Sequence, residues 1–181
     1  MKIAALPAMI CCLLIMASTS VAQQHSPAVE QSALSTANQF VNAFKISDWN
    51  AYNRLSYPGV VKYYGGTKGF NAHIQRARQY YGDTLLENPE SVKLIQLLND
   101  YDEWQCVIEK TRDTYVGMKR MQIKTYIVGV SPNDGVSWSF FDASFNSLES
   151  VPYILPNVFG MLAIPQRQVL YPGEEQMVSG N

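Results

Sequence analysis

The chain is 181 residues long, 47% hydrophobic and 16% charged, with 14 basic against 15 acidic side chains. That composition is too apolar for a disordered chain and carries no positive excess for a phosphate backbone, so no nucleic acid partner is expected. The length suits one domain.

In chain order, Lys2 precedes an apolar run from Ile3 to Met16 and the small residues Ser20-Val21-Ala22. This is the pattern of a secretory signal peptide, residues 1–22, with cleavage expected after Ala22. The run is shorter than the roughly 20 residues that span hydrocarbon. An exported protein, periplasmic or secreted, is expected, with no membrane association after cleavage. Cys11 and Cys12 are poor matches to a lipoprotein box, since Ile10 precedes the one and Cys11 the other. Only Cys106 of the three cysteines lies beyond the signal, which leaves no internal disulfide. Residues 23–31 read as a flexible leader, 32–165 as a single domain and 166–181 as a C-terminal tail.

Ser26-Pro27 is a helix start, and Ala33, Ala37, Phe40, Val41 and Phe44 recur at the spacing of an amphipathic helix. Ser47-Asp48-Trp49 caps a second, short helix with Ala51, Tyr52 and Leu55 on its inner face. Tyr57-Pro58-Gly59 ends it. Val60 to Tyr64 is β-branched and aromatic and reads as a short strand broken by Gly65-Gly66. Thr67 opens a third helix with the stripe Phe70, Ile74, Ala77 and Tyr81, stopped at Gly82.

The period then changes from helical to alternating. Val92–Leu98, Glu103–Tyr115, Met118–Val130 and Val136–Ser144 read as strands, with turns at Gly117 and at Ser131-Pro132-Asn133-Asp134-Gly135. Trp104, Cys106 and Ile108 alternate with Gln105, Val107 and Glu109. Met121, Ile123, Thr125 and Ile127 alternate with Gln122, Lys124 and Tyr126. Val136, Trp138, Phe140 and Asp142 share a face. These features predict an α+β fold in which N-terminal helices pack on one side of a strongly curved antiparallel sheet. Pro152, Pro156 and Pro165 make 145–165 an irregular closing segment, and Tyr171 to Asn181 reads as a loose end.

Helix, short helix, short strand, helix and long meander, in that order, resemble the layout of the NTF2-like superfamily. Phe40–Trp49, Tyr57–Gly66 and Gly135–Ala143 look like its secreted members, as do Leu155-Pro156 and Ile164-Pro165. The resemblance covers Ser32 to Pro165. It implies a cone-shaped sheet with helices across its mouth. In ketosteroid isomerases, dehydratases and cyclases of that superfamily the interior is a small-molecule pocket; in other members it is a packed core, or the outer sheet face makes a protein interface. Fold alone does not decide among these.

Candidate chemistry follows from the faces. Trp104, Trp138 and Phe140 on one side make an aromatic wall for a small apolar ligand. Tyr52, Tyr57 and Tyr63 are candidate hydroxyl donors. Asp142, on the same aromatic face, is the one candidate general base, and His73, bordering the buried helix stripe, a second proton carrier. Each has a plainer reading: a strand-end carboxylate capping a turn, and a half-exposed helix histidine. Cys106 alternates with Trp104 and Ile108 as a core thiol. One thiol and one folded-region histidine make no typical metal set, and the phosphate-loop pattern is missing after Gly65-Gly66, so no metal and no cofactor are expected. Lys119, Arg120, Lys124, Arg76 and Arg78 are offset by acids and read as solvated surface. The first functional expectation is therefore a small apolar ligand in the cone. The second is a homodimer or other protein interface through the outer face at Gln105, Val107, Gln122, Tyr126 and Val128. The third is a cofactor-free isomerase or dehydratase built on Asp142.

Overall fold

The computed structural model describes residues 26–100, 102–158 and 160–171, without the side chains of 80–87 and 116. The expected signal peptide, with Cys11 and Cys12, lies outside the described residues, as do His25 and residues 172–181.

Four helices precede the sheet: α1 (Pro27–Lys45), α2 (Trp49–Leu55), α3 (Pro58–Tyr63) and α4 (Thr67–Glu87). Pro27 at the first position and Glu30 in the first turn start α1, while the Ser26 side chain makes no capping bond. Its apolar stripe is buried as the spacing predicts, with Ala33, Ala37 and Phe40 among the most enclosed residues. The Arg78 guanidinium on α4 donates to the carbonyls of Phe44 and Lys45 at 3.2 and 3.1 Å, closing the C-terminal end of α1. Asp48 caps α2 by accepting from the Ala51 N–H at 2.9 Å.

The expected strand at Val60–Tyr64 is instead helical, with Val60–Tyr63 in α3 and Tyr64 as its C-cap. Pro58 takes the first helical position rather than ending the preceding helix. Burial of Val60 against the core outweighs the β preference of Val60-Val61. The extended backbone lies earlier: Ser56 bridges Phe140, and the Tyr57 N–H donates to the Phe140 carbonyl at 2.8 Å. Similarly, α4 starts after a Gly66 cap with a φ of 92° and continues through Gly82 to Glu87, so Gly82 is not a stop.

The sheet has five antiparallel strands: β1 (Glu90–Asp100), β2 (Glu103–Val116), β3 (Lys119–Ser131), β4 (Ser139–Asp142) and β5 (Gln168–Leu170). Its main path is β1-β2-β3-β4, and it does not close into a barrel. The register slips between Leu94 and Gln96, a bulge of the kind that bends a strand and increases its twist. Helix α1 packs against β1, β2 and β4, so it lies across the inner face of the curved sheet. This is the expected α+β arrangement with helices first. Among the described residues no helix is long and apolar enough to cross a membrane.

Two further differences matter for function, and the turn between β3 and β4 lies where it was expected. The fourth strand is only Ser139–Asp142; Val136 lies outside it and is 76% exposed. The chain turns at Asp134 and Gly135, both at positive φ, where a glycine is favoured. Gln168–Leu170, expected in the loose tail, pairs with Gln122–Lys124 of β3. Short β4 leaves that stretch of the β3 edge open, and the β-branched Val169 segment fills it.

The sheet is also covered on both faces. A short 3-10 helix (Leu148–Ser150) and α5 (Val151–Ile154) follow β4, and the chain after them bonds to outer-face side chains. Gln105 donates to the Asn157 carbonyl at 3.0 Å, and Gln96 donates to the Met161 carbonyl and accepts from the Ala163 N–H. Ile154 and Leu155 are fully enclosed there.

Candidate functional site

Directly opposite strand residues share a face, and the register brings charged groups together on the inner one. Trp104, Cys106, Ile108, Lys110 and Arg112 of β2 lie opposite Ser131, Gly129, Ile127, Thr125 and Ile123 of β3. Phe140 and Asp142 of β4 face Gly129 and Ile127. The first half of this face is aromatic and aliphatic and the second half is ionic.

Asp142 is inside, as its alternation predicts, and only 4% exposed. Its Oδ2 accepts from the Lys110 ammonium, whose side chain is 8% exposed and whose Nζ lies 5.6 Å from the centre of the Phe145 ring. Its Oδ1 accepts from the Ser144 hydroxyl and from the Ser144 N–H, the latter at 2.9 Å. Asp142 thus also caps the turn that follows β4. Asn146 donates to its backbone carbonyl at 2.7 Å and reinforces that turn. Beside this group, Arg112 pairs with Glu90 at 2.9 Å, both nearly enclosed. Phe40, Phe44, Tyr52 and Phe145 wall the cluster from the helix side. The space left is about 20 Å³, close to the room one water occupies.

The expected ligand wall is packed core. Trp104, Trp138 and Phe140 are each 5% exposed or less. Both indoles are satisfied by the turn between β3 and β4, Trp104 donating to the Asp134 carboxylate at 2.9 Å and Trp138 to the Gly135 carbonyl at 3.1 Å. The three tyrosines part company. Tyr52 reaches the inner cluster and stacks on Phe40 at 4.4 Å. Burial, and then the nearby Asp142 carboxylate, push its hydroxyl well above the usual phenol range, so it stays protonated. Tyr57 packs near Phe141, outside the inner cavity lining. Tyr63 is 46% exposed.

His73 sits on α4 with its ring stacked on Tyr64 at 3.9 Å. Its Nε2 is enclosed without a hydrogen-bond partner. Burial, helped by the Arg76 charge and opposed by a bond to the Phe145 backbone, lowers its pKa. The bonds of Asp142 go to Lys110 and Ser144, and neither His73 nor a tyrosine hydroxyl is among them. Burial pushes the Cys106 thiol far up, as expected of a core thiol rather than a nucleophile.

The outer face is not open where a partner was expected. Gln105, Val107 and Val128 are fully enclosed and Tyr126 is 3% exposed, whereas Gln122 is half-buried; Gln105 is held under the chain's own C-terminal segment by its bond to the Asn157 carbonyl. The four enclosed side chains offer no open surface to a second copy.

A larger space lies elsewhere. On one edge of β3, Gln122–Lys124 pair with β5 and Ile127–Val130 with β4, leaving Thr125 and Tyr126 between the two. A groove of about 440 Å³ opens at this split, lined by Thr125, Tyr126, Ser144, Ser147, Glu149 and Arg167 among others. Thr125 borders both the groove and the inner cavity, and the bonded neighbours Asp142 and Ser144 line the cavity and the groove respectively. Lys110, Arg112, Glu90 and Ser144 were absent from the sequence candidates. Extending the Trp104-Cys106-Ile108 alternation two more steps reaches Lys110 and Arg112. No local signal marks the groove, because Pro165, Gln166 and Arg167, just ahead of β5 and far along the chain, line one side of it.

Neither the family models, nor the curated proteins, nor the solved structures compared with this chain give a match.

Proposed function

We propose that this protein is an exported binding module of NTF2-like architecture that takes a small molecule in the groove between β4 and β5. One observation carries the reading: the groove offers about 440 Å³, within the ~300–1,000 Å³ usual for small-molecule sites, whereas the inner face leaves about 20 Å³. The cone interior, expected to hold an apolar ligand, is filled by aromatic packing and two ion pairs. The NTF2-like class is supported by the helices preceding the sheet and by α1 lying across its inner face. Export rests on residues 1–22. An isomerase or dehydratase is not favoured, because both carboxylate oxygens of Asp142 are committed to Lys110 and Ser144 and Asp142 caps a turn.

The test is a fragment-library titration of the isotope-labelled protein followed by amide chemical shifts. Saturable shifts should gather at Thr125, Tyr126, Ser144, Ser147 and Arg167. Shifts gathering instead around Phe40, Tyr52 and Lys110 would return the site to the cone and sink the groove reading. N-terminal sequencing of exported protein should begin at Gln23.

A further inference from the structure

Donor and acceptor parity in the groove defines the ligand chemistry. Ser144 has one hydroxyl proton, and it is committed to Asp142 Oδ1. That carboxylate is in turn held by the Lys110 ammonium on its other oxygen, so the proton has a fixed direction. Toward the groove, Ser144 Oγ therefore offers lone pairs only. Glu149 offers acceptors only when ionised, and Arg167 only donors. Ser147, Thr125 and Gln166 can present both. The two charges cancel, and Ala143, Leu148 and Pro165 add small apolar surface between the polar groups.

We propose that the groove takes a neutral, polyhydroxylated small molecule of the saccharide class; this rests on the groove being the binding site. A hydroxyl group donates and accepts at once, so adjacent hydroxyls can satisfy Ser144 and Glu149 as donors and Arg167 as an acceptor. An inorganic anion pairs with Arg167 but meets the Glu149 charge. An alkylammonium satisfies the acceptors but meets the Arg167 charge. A purely apolar molecule makes no hydrogen bond to any of these groups. The Lys110–Asp142 pair acts from behind the sheet as a positioning element that fixes the Ser144 proton.

The experiment is a series of amide chemical-shift titrations with glucose, N-acetylglucosamine and myo-inositol, each to high millimolar concentration, beside inorganic phosphate, butylammonium and an anilinonaphthalene dye. At least one of the three polyols should give saturable shifts confined to the groove. Glu149→Gln and Ser144→Ala should each weaken that polyol by roughly 3- to 10-fold, the scale of one hydrogen bond. The double variant Lys110→Met/Asp142→Leu changes no side chain that lines the groove and should weaken it by freeing the Ser144 proton. An unchanged affinity in Lys110→Met/Asp142→Leu, with its groove shifts intact, overturns the positioning role. Groove binding of phosphate, butylammonium or the dye with none of the polyols overturns the ligand class while keeping the groove. Absence of groove-confined shifts with every probe overturns the groove itself, and with it the proposed function.

Discussion

Removing one partner of the enclosed Lys110–Asp142 pair is the sharpest test of how this interior is built. The two side chains are 8% and 4% exposed, so neither charge has much water to fall back on. Lys110→Met keeps the length of the stem and its packing on Phe145 but deletes the ammonium. Asp142 then retains only the two Ser144 donors on Oδ1. Breaking a buried pair in this way costs about 3–5 kcal/mol. For a chain of this size each kcal/mol is worth roughly 2–4 °C, so the melting temperature should fall by about 6–20 °C. The double variant Lys110→Met/Asp142→Leu removes both charges and should recover all but about 1–2 kcal/mol, the remainder being the lost bonds that cap the turn. Urea unfolding followed by tryptophan fluorescence measures each step. The Arg120–Asp113 pair, 58% and 43% exposed, supplies the contrast, and Arg120→Ala should cost no more than about 1 kcal/mol. A loss below about 1 kcal/mol for Lys110→Met would refute the enclosed pair, since only a solvated pair is that cheap to break.

Further outcomes follow from other enclosed groups. Because the fold lowers the pKa of His73 below its ordinary value near 6.5, the unfolded chain binds more protons between those two values. Stability should therefore fall as pH drops below about 6.5 and level off below the folded-state pKa. Urea midpoints from pH 8 to pH 5 should show that decline and a shallower one in His73→Gln; equal slopes would remove His73 as the cause. A Cβ on Gly129 would lie 2.5 Å from the Phe140 ring and 2.7 Å from Cys106 Sγ, so Gly129→Ala should cost about 1–3 kcal/mol by overpacking. Thermal melting that is unchanged by this substitution would mean that the inner face is looser than described. Cys106, fully enclosed and with its thiol pKa raised, should resist iodoacetamide in native buffer and react on unfolding, as mass spectrometry of the labelled protein will read.

Periodicity carried the fold a long way. The helical stripe of α1 and the alternation along β2 and β3 are local patterns, and both faces were assigned correctly from them. What escaped was decided by contacts distant in sequence. The Val60–Tyr64 segment has strand composition but lies between Pro58 and two glycines, where a one-turn helix buries Val60. Gln168–Leu170 looks like tail until the open edge of β3 is known, and that edge is open only because β4 stops at Asp142. Likewise, alternation says which residues share a face but not what covers it. Gln105 and Val107 face outward by alternation, and yet the chain at Asn157 closes over Gln105.

The same limit governs the site. Asp142 was legible as an inward carboxylate because its face could be read, while its role could not, because role depends on partners. Lys110 and Arg112 lie on that inward face by the same alternation, and a cation there changes the meaning of the acid. An unpaired carboxylate among aromatics is a candidate base; one held by an ammonium on one oxygen and two Ser144 donors on the other is a fixed acceptor. Its chemical reach then passes through Ser144, whose proton it orients, to the opposite side of the sheet edge. The groove proposed as the binding site is thus displaced from the carboxylate that drew attention to it. It lies where β4 ends and β5 has not begun, a gap made by the lengths of two strands rather than by any single residue.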